Sequence, residues 1–147
     1  MFKVIVFLLA GIPVTSYAQN NSCATVGASM ESSLFDAMKR DLNINTSIIL
    51  KNKTRVEVLD VSPVSKLYAE SLAKIDYEKD KTRNKLAMLD EKSYFDSYYE
   101  NQAKSIVAKY IYINNNREKN VFIASSIINE NECSVRFNGY MILSREF

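Results

Sequence analysis

Cys23 and Cys133 are the only 2 cysteines in the chain, and they stand near its opposite ends. A bond between them stitches the N-terminal lead-in to the last strands and excludes every fold that leaves those two points apart. Whether two thiols oxidise depends on compartment, and the first residues speak to that. Met1-Phe2-Lys3 is a short positive start, Val4 to Val14 is an almost unbroken apolar run, and Ser16-Tyr17-Ala18 puts small residues at the two positions a signal peptidase reads. The pattern predicts a secretory signal peptide over residues 1–18, cleaved after Ala18. The run is shorter than the ~20 apolar residues of a membrane-spanning helix, and Pro13 breaks it near its end. A lipoprotein needs Cys at the cleavage point, whereas Cys23 follows Asn20-Asn21-Ser22. The short charged region fits a bacterial export signal, so the product is expected in the periplasm or outside the cell, with no membrane span after cleavage.

In an oxidising compartment the two cysteines are expected to form one internal disulfide. Neither lies in a Cys-x-x-Cys motif, and the chain has 0 His to activate a thiolate. On the chain-entropy model, closing so long a loop stabilises the fold by about 4–5 kcal/mol, less any strain. Residues 19–147 are expected to form a single exported domain, long enough to bury a core of its own. The formal net charge is +2, and Lys3 supplies one unit of it, so the mature chain is nearly neutral. Bulk attraction to nucleic acid or to an anionic membrane is therefore not expected.

Apolar spacing predicts a helix from Ser29, with Ser29, Ser32 or Ser33 as cap and Met30, Leu34, Phe35, Met38 and Leu42 on one face. Thr46 to Leu50 and Thr54 to Val61 are rich in β-branched residues and are expected to pair as a hairpin around Lys51-Asn52-Lys53. In the second of these strands Val56, Val58 and Asp60 are expected on one face, with Arg55, Glu57 and Leu59 on the other. Ser62-Pro63 is a helix-start signal, followed by the stripe Val64, Leu67, Tyr68, Leu72 and Ile75, ending near Asp80 or continuing through Leu86 and Leu89. Asp90 or Ser93 caps a further helix, whose wide stripe runs from Tyr94 to Ile106 and Val107. Tyr110 to Ile113, Val121 to Ile128 and Cys133 to Leu143 read as three strands, the last interrupted at Asn138-Gly139 by a bulge or turn. The expected class is α+β: an antiparallel sheet, made of the N-terminal hairpin and a C-terminal three-stranded meander, packed against two to four helices.

The absence of His removes the commonest general base and the commonest zinc ligand, and excludes Ser-His-Asp and Cys-His sites. The mature chain has only Gly27 and Gly139, too few for a phosphate-binding or dinucleotide-binding loop. No zinc-ligand spacing and no calcium loop is present, so neither metal nor cofactor is expected. Carboxylates such as Asp36, Glu57, Asp60, Glu70, Asp96 and Glu100 are available for hydrolysis, but every chain of this size has such residues.

Tyr94-Phe95 and Tyr98-Tyr99 are the most distinctive residues that remain. On a helix, 94 and 98 fall on one line, 95 and 99 on the next. Core packing accounts for such a cluster. A recognition surface accounts for it too, because Tyr joins a rigid face to a polar tip. Tyr outnumbers Phe by 9 to 7, which favours a surface at Tyr94, Tyr98 and Tyr99, with Asp96 and Glu100 alongside to orient a basic partner. The expectation is an exported, non-catalytic, protein-binding domain. Its sharpest form is an immunity or inhibitor protein that neutralises a toxin or lytic enzyme in the cell envelope. A secreted carboxylate-dependent hydrolase or effector is the alternative, and a pilus or secretion accessory subunit is a third.

Overall fold

The computed structural model describes residues 21–83 and 89–147. The expected signal peptide and Leu86 lie outside those residues. Helix α1 (Ser29–Leu42) comes first. Strand β1 (Arg55–Pro63), helices α2 (Lys66–Arg83) and α3 (Glu91–Tyr99), and strands β2 (Lys104–Ile113), β3 (Lys119–Ile128) and β4 (Arg136–Ser144) follow. The strands form one four-stranded sheet in the order β1-β2-β3-β4, with every neighbouring pair antiparallel. The class is α+β, as the segregation of helical and strand patterns along the sequence predicts. Among the described residues, no helix is long and apolar enough to cross a membrane.

One face of the sheet holds the larger core. Ile106, Ala108, Tyr110 and Tyr112 of β2 alternate with outward residues, and their partners Phe122 and Ala124 of β3 lie on the same side. α1 covers this face with Met30, Leu34, Ala37 and Met38, which recur at helical spacing and are all buried. Aromatic contacts run through it: Phe35 on Tyr112 at 5.3 Å, Tyr112 on Phe122 at 6.1 Å and Phe122 edge-on to Tyr140 at 5.8 Å. The buried Tyr110 hydroxyl donates to the Ala24 carbonyl at 2.9 Å, as a tyrosine this deep must. The Cys23–Cys133 disulfide is present, with Cα atoms 5.1 Å apart, and both residues join this core.

Several local expectations differ from what forms. Thr46 to Leu50 does not make a hairpin strand. Thr46–Ile48 and Lys51–Lys53 are 3-10 turns, and only Ile49 makes a single bridge, to Asn114. β1 pairs with β2 instead. A bulge at Leu59 shifts the register between Val58 and Asp60, so Val61, and not Asp60, shares the core face with Val56 and Val58. Ser62-Pro63 ends β1 and does not start a helix. Pro is tolerated there because β1 is an edge strand whose outer N–H needs no ladder partner. The α1 cap is not a serine: Ala28 holds the cap position, and Glu31 reaches back to accept the Gly27 amide at 2.6 Å. The stripe expected to carry α3 on to Val107 stops at Tyr99. Asn101 and Gln102, both at φ 54°, turn the chain, and Ile106 and Val107 belong to β2. At Asn138 a bulge does interrupt β4, and Gly139 takes φ 116° beside it, a conformation suited to glycine.

Replacing both Cys23 and Cys133 by Ala is expected to lower the unfolding free energy by about 2–5 kcal/mol in urea titrations. An unchanged midpoint would mean that the bridge adds nothing to the fold.

Candidate protein-binding surface

α2 and α3 form an antiparallel helical hairpin inserted between β1 and β2. Ser65 starts α2 by accepting the Tyr68 amide at 3.3 Å, and Lys81 and Arg83 sit in the last turn, where cations favour the helix dipole. Asp90 caps α3, its carboxylate accepting the Ser93 amide at 2.7 Å. The Ser93 hydroxyl and amide both hydrogen-bond the Asp90 carboxyl and hold it below the usual carboxylate range. A second apolar cluster lies under the hairpin: Val64, Ala69, Leu72, Ala73, Tyr98 and Ala103 with Ile127 of β3, flanked by Tyr94, Phe95 and Val135.

The helices are registered by two matched rungs. Tyr98 donates to Asp76 at 2.8 Å, and one turn further along both helices Tyr94 donates to Asp80. Two carboxylates four residues apart on α2 thus face two hydroxyls four residues apart on α3. The Asp80 hydrogen bond pushes the Tyr94 hydroxyl up to about 12. Burial, then the Asp76 hydrogen bond, pushes Tyr98 up further.

The first rung reaches the sheet. Arg136 of β4 donates to both oxygens of Asp76, at 2.5 and 3.2 Å, and to the Asn138 side chain at 2.7 Å. The Arg136 and Asp76 side chains are only 16% and 18% exposed. The guanidinium also lies 5.9 Å from the centre of the Tyr98 ring, within cation–π range. Burial works against the charged form of Asp76, but the hydrogen bonds from Arg136 and Tyr98 outweigh it, and the carboxyl is held below its ordinary range. Arg136 is correspondingly raised: burial lowers it, and Asp76 more than compensates.

The five expected surface residues separate. Tyr98 is buried and belongs to the core, so its ring is not offered to a partner. Tyr94 is half-buried and its hydroxyl is taken by Asp80. Asp96 is half-buried and paired with Lys92 one turn earlier. Tyr99 and Glu100 are exposed. Tyr99 is stacked on Phe95, with centroids 5.2 Å apart and planes at 26°. Beside this pair an open cleft of about 390 Å³ runs between the helices, lined by Lys66, Glu70 and Ala73 of α2 and Glu91, Lys92 and Phe95 of α3. Asp76, Asp80 and Arg136 were not among the expected residues. The signal for the two aspartates was their four-residue spacing, matched to that of Tyr94 and Tyr98. Arg136 had no signal, because only the tertiary fold brings it to Asp76.

Among the described residues, no group of three or more His, Cys, Asp or Glu is placed to hold a metal ion. No family model, curated protein or solved structure matches the chain. What the hairpin offers is a helix pair carrying an aromatic stack, with Tyr99 exposed and Phe95 half-buried, beside a cleft with charges of both signs.

Asp76→Asn is expected to lower stability at neutral pH by about 3 kcal/mol, the lower end for breaking a buried pair, because both partners keep some exposure. The Asp76 carboxyl is lower in the folded state than in the unfolded chain. Its contribution is therefore complete above the unfolded value and is lost as pH falls through the folded one. Urea midpoints measured from pH 6 down to about pH 2 should show a steeper acid loss for the wild type than for Asp76→Asn. Parallel pH profiles would contradict the assignment.

Proposed function

We propose that the protein is an exported, non-catalytic, protein-binding domain, acting as an immunity or inhibitor protein against a toxin or lytic enzyme in the bacterial cell envelope. The observation that carries this reading is the Phe95–Tyr99 stack, with the Tyr99 ring exposed, on a helix whose neighbouring row, Tyr94 and Tyr98, is anchored to α2. A rigid aromatic anchor loses little conformational entropy on binding, and such residues dominate interface energetics. Lys66, Glu70, Glu91 and Lys92 around the adjoining cleft supply charges of both signs, which favour one partner over another more than they add affinity.

Two further features support the reading. The disulfide suits an oxidising compartment, in keeping with the signal pattern over residues 1–18. Asp76 and Asp80 are committed to hydrogen bonds that hold the hairpin together, an arrangement suited to binding rather than to proton transfer.

Export is checked by mass spectrometry of the protein recovered from the periplasm or medium, whose first residue is expected to be Gln19; a chain retaining Met1 to Ala18 contradicts it. Binding is checked by protection. Cells exporting the protein are challenged with any toxin or lytic enzyme that its neighbouring genes encode. Survival is expected, and the double variant Phe95→Ala, Tyr99→Ala should raise the dissociation constant at least about 30-fold, as for loss of a 2 kcal/mol hot spot. No protection by a correctly exported wild type would overturn the immunity reading.

A further inference from the structure

The two edges of the sheet are built differently. β1 carries Arg55, Glu57 and Asp60, is bulged at Leu59 and ends in Pro63, all devices that keep an edge from recruiting another strand. β4 has no Lys, Arg, Asp or Glu after Arg136. Met141, Ile142 and Leu143 follow one another at 62%, 40% and 51% exposure. Alternate strand residues point to opposite faces, so this edge is apolar on both sides. Among the described residues, no backbone hydrogen bond outside the β3–β4 ladder reaches residues 137–144. A row of open N–H and C=O groups flanked by exposed apolar side chains is a template for a further strand.

We propose that β4 pairs antiparallel with β4 of a second copy, about a two-fold axis at Met141, so that one sheet runs through both molecules. The pairing segment is 139–142, between the bulges at Asn138 and Leu143. Three features select a second copy as the occupant. The strand is neutral at the axis, and its one charged residue, Arg136, lies at the far end and is already engaged by Asp76. A two-fold axis sets each apolar side chain against the same strand of its mate, making the contact self-complementary. The formal net charge of +2 leaves little repulsion between copies. The protected β1 edge then stops the assembly at two, because no second open edge remains to continue the sheet. The proposal is independent of the α2–α3 reading.

The test uses the mature, disulfide-intact protein in sedimentation equilibrium over a wide concentration series, with hydrogen exchange at both ends of the range. A reversible dimer is expected, with the amides of 139–142 gaining protection at dimeric concentrations. Met141→Lys and Ile142→Lys replace exposed residues. Each should leave the melt at monomeric concentration unchanged and raise the dimer dissociation constant about tenfold or more. A chain that stays monomeric throughout overturns the proposal. So does a dimer that folded Lys variants leave intact. The exchange measurement needs no variant: dimerisation with no added protection at 139–142 also overturns it.

Discussion

One largely buried ion pair links the two parts of this molecule. Arg136 grips both oxygens of Asp76 while Tyr98 donates to the same carboxylate, so a strand and both helices of the hairpin meet at one group. Removing two charges from water is expensive, and their attraction repays it only when the remaining lone pairs and protons are also used. Here they are: Asn138 takes a further guanidinium proton, the Tyr98 ring lies close to the cation, and the pair keeps a little exposure. Breaking the pair leaves an uncompensated charge beside the apolar cluster that lies under the hairpin. The orientation of Phe95 and Tyr99 therefore depends on a contact with neither of them.

The molecule divides its work accordingly. α1, the sheet and the disulfide make a core of large buried side chains, with Tyr110, Tyr112 and Phe122 at its centre. The hairpin adds a smaller core based on Ala69, Ala73 and Tyr98, where small residues on α2 let α3 approach. The larger core supplies a rigid frame, and the smaller one presents a surface. In the proposed binding role, rigidity of that surface matters because ordering it in advance removes an entropic penalty from binding.

Parts of this arrangement were legible in the sequence because they depend on local chemistry or on elimination. Two cysteines with one possible pairing, a helix cap at Asp90 or Ser93, and an interruption at Asn138-Gly139 are of that kind. Other parts lay in competition between equally good local patterns. Ser62-Pro63 opens helices, yet Pro also suits a sheet edge, and Ser65 was free to cap instead. Ile106 and Val107 extend the helical stripe of α3, but Ile106, Ala108, Tyr110 and Tyr112 also alternate, and the turn at Asn101 and Gln102 decides for the strand. Thr46 to Leu50 has strand composition but no neighbour beyond the single bridge at Ile49. In the candidate site the aromatic cluster was visible, while the split between buried Tyr98 and exposed Tyr99 was not. A helix places those two residues on different faces, and only the position of the sheet says which face is inside.

Asp76 and Arg136 act as one unit in docking the hairpin. A double-mutant cycle on stability, using Asp76→Asn, Arg136→Met and the combination, tests it most directly. Either single change is expected to be strongly destabilising and the double variant no worse than the worse single, a coupling of about 2–3 kcal/mol. Additive effects, with a coupling below about 0.5 kcal/mol, would contradict it.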